Sequence, residues 1–480
     1  MLTVLGLSPT FQLLLQFVGC SISLVFIVPL LVNLSHLFSL SHRNFPGPPS
    51  SGFLRGNLQD IFDAEDASIF VRWVEQYGRV YRRTTFFGRP EIVISDLKGV
   101  THILQNHYDY IKSDSLRYLL SRVTGFGILV VEQDEHKKQR RIMNPAFGPA
   151  QIRALTKIFV DKSIELRDAW INTIENDSGV GRVDALMWLT RMTLDVIGQA
   201  GFNYNFQALQ GEPNELNVAF SHIFESGTSQ MDLPVLLKLF FPILRLLPET
   251  NGAIREAQAT MSRIGKRLLS DAKATDEKNA KDLLSLLVSS NKSKDLAENQ
   301  RLTDDKILAQ VPTFLAAGHE TTSTATTWAL LALTDNVEAQ TKLREETLSV
   351  STDMPTMEQL NALPYLDAVV REALRLYAPV SETSRVLAKD DVIPLGEPFT
   401  DKNGDIHHEV RAKKGQEFIV SIAALNRDKT LWGDDADDFK PERWEKIPEA
   451  VSSIPGVTNN IMTFLGGAHA CIGWRFSIIE

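Results

Sequence analysis

Ten residues near the end of this 480-residue chain constrain it more than any other stretch: Phe464-Leu465-Gly466-Gly467-Ala468-His469-Ala470-Cys471-Ile472-Gly473. They hold one of only two cysteines; the other, Cys20, lies in an apolar N-terminal run. Gly466 and Gly467 open backbone conformations closed to residues with a Cβ. Gly473 keeps the turn after the sulfur slim, and Trp474 to Glu480 reads as the start of a helix. A thiolate at a helix N-terminus is stabilised by the dipole and by free N–H groups, which suits soft metal ligation. A lone cysteine is also a common buried core residue. The spacing by itself leaves both readings open.

Composition sets the outer limits. The chain is 44% hydrophobic and 23% charged, ordinary for a globular protein with a large core. Net charge is -9, which speaks against a general nucleic-acid-binding surface. Two cysteines make no disulfide framework, and a reducing compartment follows. Phe11 to Leu40 carries no Lys, Arg, Asp or Glu, and about 20 such residues in a helix cross a bilayer. No basic segment and no small-residue cleavage pattern mark it as a signal peptide. Residues 1–43 are therefore expected to be a single membrane anchor. Arg43 and Arg55 follow it, so the positive-inside rule leaves the main domain in the cytosol. Residues 44–50, with Pro46-Gly47-Pro48-Pro49, form a proline-stiffened hinge. The sequons at Asn33, Asn176 and Asn291 are read as chance matches.

Beyond the hinge, residues 51–480 read as one mainly α domain with a small β region. Val80–Phe87 and Glu91–Ser95 flank Gly88-Arg89-Pro90 and look like a hairpin. Asp96-Leu97 opens a short helix toward Gln105. Tyr108 to Val131, with Gly125 and Gly127, reads as irregular. Glu135–Met143 is a basic helix ended by Pro145. Helices are expected over Gln151–Asn172 and Val183–Gly198. Pro234–Pro248 is apolar but too short to span a bilayer. It reads either as core or as a surface that dips into a membrane. Lys273–Asn299 reads as a loosely packed connector around the helix Leu283–Val288.

The longest soluble helix is expected from a Thr303 cap to Thr334, bent at Pro312. Ala316-Ala317-Gly318 makes a turn nearly free of side chains, which lets a flat cofactor or O2 approach the backbone. Thr321 can bond back to the carbonyl of Ala317 and loosen the helix. Glu320 beside it would make a short proton path. The plain alternative is a packing notch. Glu372 and Arg375 lie three apart on a helix over Pro364–Leu376 and can pair, though surface pairs of this spacing are common and weak. Pro441-Glu442-Arg443-Trp444 and Arg385 follow.

Phe464, Gly467, Cys471 and Gly473 match, place for place, the cysteine-ligand loop of the cytochrome P-450 family. Ala317-Gly318-His319-Glu320-Thr321-Thr322 matches that family's oxygen-activation segment, and Glu372, Arg375 and Arg443 match its buried acid–arginine set. The chain resembles this family of haem-thiolate monooxygenases over nearly its whole length, in the style of fungal microsomal members. The resemblance implies that Cys471 binds haem iron and that Glu320 and Thr321 are catalytic. It implies that Arg140 and Arg385 hold haem propionates, with His136 standing where the family carries tryptophan. His469 stands where most members carry arginine, and Trp444 where they carry phenylalanine.

The implied activity is insertion of one oxygen atom of O2 into a lipophilic small molecule, a terpenoid or other secondary metabolite. Electrons would come from NADPH through a flavoprotein reductase docking on the basic helix, with the protein on the endoplasmic reticulum. Alternatives are a fatty-acid or alkane hydroxylase, the same site used for isomerisation or dehydration without a reductase, or a non-catalytic, membrane-anchored haem protein. Family members usually continue past Glu480 to a terminal β-hairpin, so the domain is expected to be C-terminally incomplete.

Overall fold

The computed structural model describes residues 42–176, 181–212, 214–219, 221, 233–248, 251–276, 280–294 and 296–480. The expected anchor lies outside them up to residue 41. Among the described residues no helix is long and apolar enough to cross a membrane.

Helices dominate. We label α1 (Ser68–Tyr77), α2 (Leu97–Gln105), α3 (Asp114–Thr124), α4 (Gln133–Met143), α5 (Pro149–Asn176), α6 (Ala185–Phe202), α7 (Gly252–Ala274), α8 (Leu283–Lys292), α9 (Gln310–Asp335), α10 (Val337–Leu348), α11 (Pro364–Leu376) and α12 (Trp474–Ile479). The strands are β1 (Val80–Thr84), β2 (Pro90–Ile94), β3 (Tyr110–Ile111), β4 (Glu382–Leu387), β5 (Asp391–Thr400), β6 (Ile406–Ala412) and β7 (Glu417–Ser421). One sheet has the order β1-β2-β7-β4-β3, and β5 pairs with β6 alone. The expected hairpin is present, with Val80 opposite Ile94 and Thr84 opposite Pro90.

Two apolar cores flank the site. One joins α5 to α9 through Ile152, Val196, Leu287 and Leu315. The other packs the sheet against the loop that ends at Cys471, through Ile92, Phe418, Trp432 and Phe464. Where α9 crosses α6, a Cβ on Gly318 would meet Ile197 Cδ1 at 2.9 Å, and Thr193 Oγ1 donates to the carbonyl of His319 at 2.9 Å. The small-residue turn therefore is a packing notch on one face of α9, while Ala317 opens to a cavity on the other.

Three expectations need correction. Tyr108–Val131 is not irregular throughout, because Asp114–Thr124 is helical. Ser113 Oγ accepts from the N–H of Leu116, and Gly125 at φ +63 ends the helix. The long helix is not bent at Pro312 but divided one turn earlier, into Asp304–Leu308 and α9. A proline lacks an N–H, and its ring crowds the carbonyl four residues back, which here belongs to Leu308. Thr303 occupies the cap position without a side-chain capping bond.

In the 234–248 segment Val235 is buried, whereas Leu246 and Leu247 are 81% and 58% exposed. It is not simply core. Asn291 is buried and its side-chain amide bonds both ways to the backbone of Leu302, so this sequon is closed to modification in the folded chain.

Candidate active site

The cysteine loop is held from behind. The N–H of Cys471 donates to the carbonyl of Phe464 at 2.8 Å, which closes the loop on itself. Gly466 and Gly467 are required for different reasons. A Cβ on Gly466 would lie 1.7 Å from the carbonyl oxygen of Pro455, and Gly467 takes φ +68 against Leu104. Gly473 is under no such demand, since a Cβ there would meet only ordinary contacts at 3.9 and 4.0 Å. Leu465 takes φ +54 without being glycine, a strained backbone tolerated where surrounding bonds fix it.

Cys471 faces a cavity of about 1460 Å³. Ala317 and Thr321 of α9 line the same cavity. Thr321 Oγ1 donates to the carbonyl of Ala317 at 2.5 Å, the back-bond expected from the sequence. Glu320 is not among the lining residues. It sits half-buried on the neighbouring face of α9, and burial pushes its carboxyl up. Burial also pushes the Cys471 thiol up, against the N–H of Gly473 and the Arg140 guanidinium, which pull it down. In the protein by itself burial thus works against the thiolate expected near the helix N-terminus, and a cation bound at sulfur would favour it.

One edge of the cavity is basic. Lys112, His136, Arg140, Arg385 and His469 all line it. Arg140 Nη1 donates to the carbonyl of Ala470, beside the cysteine, and Nε to Asn144 Oδ1 at 3.1 Å. Arg385, 3% exposed, is held by Thr383 Oγ1 and the carbonyl of Ser384, each at 2.7 Å. The His136 and His469 rings stack 4.0 Å apart. Burial and the nearby cations push His136 down to about 4 and His469 to about 2, so both rings are neutral at pH 7. Lys112 and its carboxylate partner Glu132 (2.9 Å) escaped the sequence reading. No local pattern marks them, because the fold brings residue 112 to residue 469.

The basic helix α4 is anchored from α9 and from the short helix Asp304–Leu308 before it. Gln310 Nε2 donates to Gln139 Oε1 at 3.0 Å, Gln139 Nε2 donates to Glu135 at 3.0 Å, and Lys306 pairs with Glu135 at 2.8 Å. This fixes the helix that carries His136 and Arg140.

Glu372, Arg375 and Arg443 lie away from the cavity and are buried. Arg375 donates from Nε and Nη2 to the two oxygens of Glu372, each at 2.9 Å. Arg443 Nε donates to Glu372 Oε1 at 3.3 Å, and its Nη1 to Asp435 at 2.6 Å. Arg375 Nη1 also donates to the carbonyl of Asn426 at 2.8 Å. The Asn426 side chain in turn accepts from the N–H of Met462 and donates to Thr463 Oγ1. The buried set thereby supports the base of the cysteine loop.

A flat group with two carboxylates at one edge and a metal at its centre fits this donor set. The sulfur and a nearly bare helix turn line the same cavity. The rim carries three cations, and the Nε2 atom of His469 is buried there without an aligned hydrogen bond.

The cytochrome P-450 family's sequence pattern matches residues 46–480. The chain belongs to that family. It is 48% identical over 455 residues to cytochrome P-450 monooxygenase 128 of Postia placenta, covering 91% of this chain and 83% of that one. Monooxygenase 205 of the same fungus is 48% identical over 452 residues, with the same coverage. Monooxygenase claW of Ampulloclitocybe clavipes is 35% identical over 450 residues, covering 90% and 83%. Membership makes the protein an oxidoreductase of the haem-dependent monooxygenase class, with a cysteine thiolate as the family's iron ligand. Its mainly helical fold with a small sheet region agrees.

Proposed function

We propose that this cytochrome P-450 inserts one oxygen atom of O2 into a lipophilic small molecule, a terpenoid or other secondary metabolite, with Cys471 as the iron ligand. The single observation that carries this reading is the cavity that Cys471 lines together with Ala317 and Thr321. Above α9 it is lined by Leu119, Leu120, Val123 and Val380, which favours an apolar substrate. Haem ligated by a thiolate supplies O2 activation when bound.

The chain's own residues supply the rest. Arg140 and Arg385 would hold the propionates, with the guanidinium fork matched to a carboxylate, and His136 and His469 would pack the same edge. The Thr321 hydroxyl would hold a proton donor at the cavity face. Glu320, raised by burial, would exchange protons with solvent behind it. The exposed basic side chains Lys137 and Arg141 on α4 support docking of a flavoprotein reductase fed by NADPH. Exposed Leu246 and Leu247 support contact with a membrane in addition to an anchor at residues 1–43.

Purified protein reconstituted with reductase and screened against apolar secondary metabolites tests the substrate class, with oxygenated product as the expected result. The reduced, CO-bound spectrum tests the ligand: the red-shifted thiolate band is expected, and its absence sinks the reading. Deletion of residues 1–43 is expected to move much of the protein to the soluble fraction. Retention on the membrane would leave 234–248 as the second contact.

A further inference from the structure

Glu132 does not line the cavity, yet it stands directly behind two residues that do. It is 9% exposed. Its Oε1 accepts from both the backbone N–H of Lys112, at 3.2 Å, and Lys112 Nζ, at 2.9 Å. Its Oε2 lies 3.3 Å from His469 Nε2, and neither of those atoms makes a well-aligned hydrogen bond. Glu132 also occupies the residue before α4, but its side chain makes no capping bond there. The carboxylate is turned instead toward residues 112 and 469, from opposite ends of the chain.

We infer that Glu132 is a positioning residue for the haem edge, holding Lys112 where a propionate would meet it while making no cofactor contact itself. The inference rests on the haem reading above. An ammonium has three donors, and Glu132 engages one of those on Lys112. Lys112 lines the cavity from a buried position, where a propionate oxygen would take the remaining two. Lys112, Arg140 and Arg385 share that rim, and like charges so placed repel unless a counter-charge stands among them. Glu132 is that counter-charge. At position 469 an imidazole replaces the permanent cation that guanidinium would give, so the placement of Lys112 matters more in this chain.

The test uses the holoenzyme. Haem loss to excess apomyoglobin is followed by absorbance for the wild type, Glu132→Gln, Lys112→Met and the double variant, with thermal melting as a check on folding. Glu132→Gln keeps the shape and is expected to speed haem loss about tenfold, as for an outer-shell partner. Lys112→Met is expected to do the same, and adding Glu132→Gln to it is expected to change little further. The thiolate band should persist in each variant. The proposal is overturned if Glu132→Gln leaves haem loss within about twofold of wild type. It is equally overturned if its effect is as large without Lys112 as with it, which is the signature of a purely structural side chain. A wild type lacking the thiolate band would instead overturn the haem reading, and this inference with it.

Discussion

The indole N–H of Trp444 donates to Glu372 Oε2 at 3.1 Å. The same oxygen accepts from Arg375 Nε at 2.9 Å, and the other accepts from Arg375, Arg443 and the N–H of Lys440. Where the resemblance implies phenylalanine, this tryptophan adds a donor to a fully buried carboxylate. Trp444→Phe is expected to cost about 1 kcal/mol, since Oε2 keeps its arginine. Glu372→Gln is expected to cost about 3–5 kcal/mol, because it leaves Arg375 buried without its counter-charge, while Arg443 keeps Asp435. Urea unfolding of the two variants checks the order, and equal losses would mean that the carboxylate's charge is not what the arginines need.

A second buried carboxylate sets a pH dependence. Glu91 pairs in register with Glu417 across β2 and β7, and Arg83 is its cation at 2.8 Å. That arginine is shared with Glu382 at 2.6 Å. Burial is the largest influence and, with Glu417 and Glu382, pushes Glu91 up to about 7 against Arg83. A carboxyl raised above its unfolded value of 4.5 binds more protons folded than unfolded, so its contribution falls as pH rises between those values. The wild type is thus expected to lose stability relative to Glu91→Gln as pH goes from about 5 to 8, with Arg83 still paired to Glu382 in the variant. A difference that stays flat, or grows in the wild type's favour, in chemical unfolding across that range contradicts the sign.

The sequence was most legible where chemistry is local. Pro364 and the three-residue spacing of Glu372 and Arg375 define α11 and its pair, and the helix bounds agree. Asp96 caps α2 as expected, accepting from the N–H of Gly99. The glycines of the cysteine loop carry their conformational demand in their identity. Helix α3 was obscured because Gly125 and Gly127 read as loop, although Ser113-Asp114 and Gly125 are start and stop signals. The pair of Lys112 and Glu132 at the basic edge of the cavity was not legible at all. It depends on β3 laying residue 112 beside the end of the chain's last loop. The choice between core and outward surface for 234–248 was likewise not legible, since apolar side chains carry no mark of which neighbour fails to cover them.

Thr321 joins helix geometry to chemistry. Its hydroxyl bonds to Ala317 in a stretch of α9 that lines the same cavity as Cys471. Thr321→Ala is expected to retain haem and fold while uncoupling NADPH consumption from product, with peroxide release rising several-fold. Thr321→Ser keeps a donor and is expected to recover much of the coupling. Unchanged coupling in Thr321→Ala would remove this hydroxyl from the proton path.

Cys471 separates the ligand reading from the core reading most sharply. Its sulfur is open to the cavity, while protein surrounds it closely enough for burial to push the thiol up. A thiol in that setting is a poor nucleophile alone but becomes a thiolate once iron is bound. Cys471→Ser retains shape but offers a harder and far more basic oxygen, which does not reproduce the electron donation of sulfur. The variant is expected to lose the red-shifted reduced-CO band and monooxygenation together. If the cysteine only filled core, the same change would cost about 1–3 kcal/mol as a poorly satisfied polar group, and the folded remainder would keep its spectrum. Arg140→Leu provides the contrasting control. It removes a cation from the basic edge of the cavity that also bonds to Ala470, so under the proposed haem reading it is expected to weaken haem retention while whatever haem stays bound still shows the thiolate band. Loss of the band in Arg140→Leu with its survival in Cys471→Ser would reverse the assignment.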